Sequence, residues 1–148
     1  MSYQERRSLV NLISDIMITG AYTVYRFQHY PETDPYSPEI FQFWGSFFLL
    51  LIAVSIVAKI IIYIIFSIIN TIATREEIPS ITDERDKLIG LKAMRNTLYT
   101  FMIGFVLGMA SLAFDQPPTV MFIILFGAGF LSSLMTDVSE FYYYRRGV

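Results

Sequence analysis

The chain has 148 residues, of which 54% are hydrophobic and only 16% charged, with a formal net charge of −2 and no cysteine. Soluble domains carry about 25% charged residues, so the apolar excess belongs against lipid. This charge balance gives no electrostatic footprint for nucleic acid, and the lack of cysteine excludes disulfides, thiol catalysis, iron–sulfur clusters and thiolate zinc sites.

In chain order, MSYQERRS is a polar start carrying Arg6 and Arg7. A first span is expected from about residue 9 to 25, retained rather than cleaved because no small-residue cleavage site follows it. It is unusually polar. Asn11 and Tyr22 fall about 40° and 20° from Asp15 on a helical wheel, a stripe suited to facing other helices. Pro31, Pro35 and Pro38 then interrupt regular helix, giving an extracytoplasmic loop that carries Glu32, Asp34 and Glu39. His29, the single histidine, lies in this loop without a second metal or catalytic ligand type beside it. Phe41, Phe43 and Trp44 are expected to mark an aromatic membrane interface.

The second span, about 44 to 73, exceeds the roughly 20 apolar residues a bilayer requires. Its one charge is Lys59. A lysine at that depth costs at least ~2.5–3.5 kcal/mol, and Ser55, Tyr63 and Asn70 lie within about 40° of it on the wheel. A charged cytoplasmic loop follows over about 75 to 95. Within it Thr82 is expected as an N-cap, with Asp83 and Lys87 spaced i, i+4 for pairing. A third span, about 97 to 114, holds Gly104 and Gly108 in a GxxxG suited to close helix packing in the bundle and, secondarily, to a homo-oligomer. DQPP turns the chain into a fourth span, about 119 to 138, containing Ser133 and Asp137.

Nine of the eleven basic residues fall on one side of this arrangement, and Arg26 alone on the other. The positive-inside rule then puts both termini in the cytoplasm. The expected fold is all-α: one domain, four transmembrane helices in two antiparallel hairpins, in an inner (plasma) membrane. Counted from the basic flanks, Asp15 and Asp137 sit about 12 Å deep and Lys59 about 18 Å. These three form a candidate intramembrane cluster, lined by Asn11, Ser55, Asn70, Asn96 and Ser133. Asp83, Glu84, Arg85, Asp86 and Lys87 form a candidate docking surface for a cytoplasmic protein partner.

Phosphate-loop, GxSxG and HExxH patterns are all missing, and no span carries a histidine for haem. No enzyme activity, cofactor or metal is therefore expected. The run TDERDKLIGLKAMRN, with the opening ERRSLVNLIS and the closing YYYRRGV, resembles small prokaryotic four-span membrane proteins that are functionally uncharacterised. The resemblance implies the fold and carries no activity. Small multidrug transporters also have four short helices and an acid in the first. This chain departs from them in its long first loop and in Lys59. Two functions are expected in order: a regulatory, sensory or partner-binding membrane protein, then a proton- or ion-coupled transporter using the Asp/Lys cluster.

Overall fold

The computed structural model describes residues 2–74 and 83–147. It is all-α, with α1 (Tyr3–Phe27), α2 (Pro38–Thr74), α3 (Glu84–Ala113) and α4 (Pro118–Arg146). Three of the four, α2, α3 and α4, are long and apolar enough to cross a membrane. The polar helix is α1, with Glu5, Arg6, Arg7, Asp15 and Arg26 along its length.

Local chemistry sets the helix ends. The polar start is helical: Glu5 N–H donates to Ser2 Oγ at 3.2 Å and Ser2 N–H to Glu5 Oε2 at 3.0 Å, a capping box closing the first turn. Pro38 and Pro118 open α2 and α4, where a missing N–H costs nothing. Asp83 caps α3 through its carboxylate, which accepts from Glu84 N–H at 2.7 Å. The expected cap, Thr82, lies outside the described residues, and Asp83 serves its own helix end instead of Lys87. After Ala113 the Gln116 N–H reaches Ser111 O and the Asp115 N–H reaches Leu112 O. That is a Schellman closure, and Asp115 takes the left-handed conformation it needs, φ 56°.

The packing order is α3 on α4, α4 on α1, α1 on α2. Between α3 and α4, a Cβ on Gly104 would overlap the Cβ of Ala128, and one on Gly108 would come within 3.3 Å of Leu125. The small residues let the backbones meet. The Thr97 and Thr136 hydroxyls share a 2.6 Å hydrogen bond across the same seam.

Along α1 and α2 the contacts run in opposite directions: Tyr3 with Phe66, Arg7 over Tyr63, Tyr22 with Phe47. At the loop end sits an aromatic core of Ile40, Phe43, Trp44 and Phe47, packed against Tyr22, Tyr30, Phe122 and Phe126. This corrects the expected interface belt. Phe41 is exposed as a belt residue would be, but Phe43 is buried and Trp44 has no exposed surface. The Trp44 ring stacks on Phe122 at 5.5 Å, because the first turns of α2 and α4 start side by side.

The register also corrects the depth of Lys59. Tyr63, level with Arg7, leaves eleven residues of α2, about 16 Å, running past the arginines of α1. The backbone of Lys59 is therefore nearer the terminal end than that of Asp15. An uninterrupted apolar run does not show where it passes its neighbour's flank.

An ion pair beside an apolar crevice

Lys59 and Asp15 meet. Lys59 Nζ lies 2.7 Å from Asp15 Oδ1, and the second carboxylate oxygen accepts from the Ser133 hydroxyl. The geometry follows from the helices. Side chains lean toward the N-terminus of their own helix, so Lys59 leans back along α2 to the level of Asp15. Ser133 is brought in by α4, which packs on the same face of α1. The pair is asymmetric: the Asp15 side chain is 6% exposed and that of Lys59 44%. The carboxylate is fixed at both oxygens, and the lysine side chain keeps an open side.

That open side borders a crevice of about 410 Å³ between α1, α2 and α4. Asp15 and Thr19 form its floor. The α2 wall runs from Phe48 through Leu51, Ile52 and Ser55 to Lys59, and the α4 wall carries Phe126, Gly129, Phe130 and Ser133. Polar groups gather at the Lys59 end and aromatic rings at the other. Phe48, Leu51 and Phe126 belong both to the crevice and to the packing around the aromatic core, so the crevice ends against Trp44 and Phe47. Gly129 shapes the wall, since a Cβ there would meet nothing within 4 Å.

The remaining candidates are placed differently. Asp137 is buried one turn beyond Ser133, close enough to feel the charges of Asp15 and Lys59. It does not line the crevice, and its Oδ2 has no hydrogen-bond partner among the described residues. Asn96 is not part of the cluster: on α3, it donates to Ser139 Oγ at 3.1 Å and Tyr143 Oη at 3.3 Å on α4. Its face of α3 looks onto α4, while α1 packs on α4 and α2. Asn11 is half-buried and Asn70 buried, both outside the crevice lining.

In the charged run, Asp86 lies against the Tyr144 hydroxyl, while Glu84, Arg85 and Lys87 are exposed. Residues 75–82 of the expected docking loop lie outside the described residues. His29 is exposed, its Nδ1 3.4 Å from the Tyr25 carbonyl oxygen. Among the described residues no three potential metal ligands converge. Two of these features carry a readable signal in the sequence. Ser2–Glu5 is a capping-box pattern, and Gly129 lies four residues from Ser133 on the same helical face. No protein-family model, curated protein or solved structure matches the chain.

Proposed function

We propose that this is a non-enzymatic, four-span protein of a prokaryotic inner membrane, with both termini and residues 75–95 cytoplasmic, acting as a sensory or regulatory binding protein. In this reading α1 is the fourth span. The support is that its acid is paired inside the bundle and its buried residues are Ser8, Ser14 and Asp15, so the polar stripe need not face lipid. The basic flanks supply the orientation. Ligand occupies the crevice inside the membrane, and the exposed Glu84, Arg85 and Lys87 present a charged surface to a soluble partner.

The observation that supports binding is that the crevice ends at the aromatic core, a closure that one state of an alternating-access transporter shares, so access from the loop side separates the two. A coupled transporter needs alternating routes to both faces, and Trp44, Phe47, Phe122 and Phe126 fill the path toward the loop end. The transporter reading keeps one observation in its favour, the buried unpartnered oxygen of Asp137 beside the ion pair. Intramembrane acids of that kind serve proton relays.

The cysteine-free sequence makes the test direct. A Ser55→Cys variant in oriented vesicles is treated with a membrane-impermeant maleimide from each side, with Thr33→Cys as the outer-loop control. The binding reading predicts no labelling of Ser55→Cys from the loop side while the control labels fully. Labelling from both sides would sink it and leave transport.

A further inference from the structure

We propose that the crevice takes an uncharged amphiphile whose polar end is a carbonyl acceptor hydrogen-bonded to Lys59, with its apolar part between Phe48 and the Phe126–Phe130 wall. This rests on the binding reading and names the chemistry of its ligand.

The charged hydrogen-bonding capacity left in the site is donor capacity; the Thr19 and Ser55 hydroxyls in the lining donate or accept and favour neither. Both Asp15 oxygens are engaged, one by Lys59 and one by Ser133. An ammonium has three donors. That of Lys59 gives one to Asp15, meets no other acceptor among the described residues, and sits on a side chain 44% exposed. A ligand that satisfies the ammonium must accept.

Charge then narrows the class. Lys59 and Asp15 balance one another, and among the described residues no second cation lines the crevice. An anionic head would bring a second negative charge next to Asp15 and toward Asp137, uncompensated where the dielectric is low. A cationic head would face the ammonium with both carboxylate oxygens taken. A neutral carbonyl accepts a charge-assisted hydrogen bond and leaves the balance unchanged.

Shape supplies the rest. About 410 Å³ lies in the range of small-molecule sites, ~300–1,000 Å³. From Ser133 to Phe126 is seven residues of helix, about 10 Å, with the charged groups at one end only. The Phe126 and Phe130 rings lie near-parallel, 11° apart in plane at 6.5 Å, and Gly129 leaves the same wall bare beside them. A flat quinone ring and the ester end of a glycerolipid share the required chemistry, a carbonyl on an apolar body, and both dissolve in the bilayer.

The test uses the full chain in a maltoside detergent, which offers no carbonyl. Equilibrium binding is measured for a decyl-substituted benzoquinone, dioctanoylglycerol, decanoate at pH 9 and decyltrimethylammonium, on the parent and on Gly129→Phe. That variant fills the crevice from an open position, and its thermal midpoint reports whether the fold is kept. The expected result is that at least one neutral carbonyl probe binds tenfold or more tighter than either ion, with the preference abolished in folded Gly129→Phe. A response to the benzoquinone alone identifies the ring source, and one to dioctanoylglycerol alone the lipid source. Equal or tighter Gly129-sensitive binding of an ion overturns the ligand class and leaves the binding reading standing. If no probe binds in a Gly129-sensitive way the proposal falls, and labelling at Ser55→Cys separately decides whether the binding reading falls with it.

Discussion

Helices α3 and α4 lie against each other along their length, whereas α2 rests on α1 and, among the described residues, meets α4 through rings at the loop end. Apolar content does not explain the contrast, since α2 is the most apolar helix of the chain. Shape does. In lipid no hydrophobic driving force favours helix against helix over helix against acyl chain, so close packing and interhelical hydrogen bonds decide. Gly104, Gly108 and Ala128 let one pair of backbones meet, and Thr97, Thr136, Asn96 and Ser139 stitch the seam. Across α2 and α4 the side chains are bulky. Where they are aromatic, at Trp44, Phe47 and Phe122, they fill the gap between the helices. Where they give way to Ser55 and Gly129, a crevice remains.

The aromatic plug is the strongest test of that contrast. Trp44 has no exposed surface and is ringed by Phe27, Phe43, Phe47, Phe48 and Phe122. Removing a large buried aromatic costs about 3–5 kcal/mol, so Trp44→Ala should give the largest loss in unfolding measured in detergent. It should also admit the impermeant maleimide to Ser55→Cys from the loop side. Unchanged stability with unchanged labelling would mean that the rings do not hold α2 to α4.

The ion pair comes next. Asp15→Asn leaves Lys59 without its counter-charge. Breaking a fully buried pair costs about 3–5 kcal/mol, but the Lys59 side chain is nearly half exposed and can turn outward. A loss of about 2–3 kcal/mol is expected, largely recovered in Asp15→Asn/Lys59→Met, as chemical-denaturant unfolding of the three proteins would show. Full additivity in the double variant would remove the pair as the link between α1 and α2.

These residues also show what can be read from sequence. Lys59 is conspicuous as the one charge in a long apolar run, and such a cation demands a nearby acid; depth counted from the basic flanks offers Asp15 and Asp137 alike, with Ser133 only as lining, and the helix register selects Asp15. Asn96 was misplaced because depth alone suggested the cluster, while its partner depends on which helix its face meets. Trp44 misled because aromatic belts and aromatic cores share a composition, and only the side-by-side starts of α2 and α4 distinguish them. The crevice had no sequence signature, since it exists where two helices stop touching.

Two glycines reduce the contrast between tight and open packing to one methyl group. A Cβ on Gly104 would overlap Ala128 Cβ and come within 3.2 Å of its Cα, the facing backbone, which cannot swing aside as a flexible side-chain tip can. Gly104→Ala should therefore force α3 and α4 apart and destabilise by about 1–2 kcal/mol, as overpacking does. Gly129 sits on a crevice wall with nothing within 4 Å of an added Cβ, so Gly129→Ala meets no clash. Alanine loses less backbone freedom in a helix than glycine, and the change should stabilise by up to about 1 kcal/mol. The same substitution on two helices of one bundle is thus expected to move the unfolding midpoint in opposite directions. Matching signs would mean that the seam between α3 and α4 is looser, or the crevice more filled, than the packing at Ala128 and Gly129 implies.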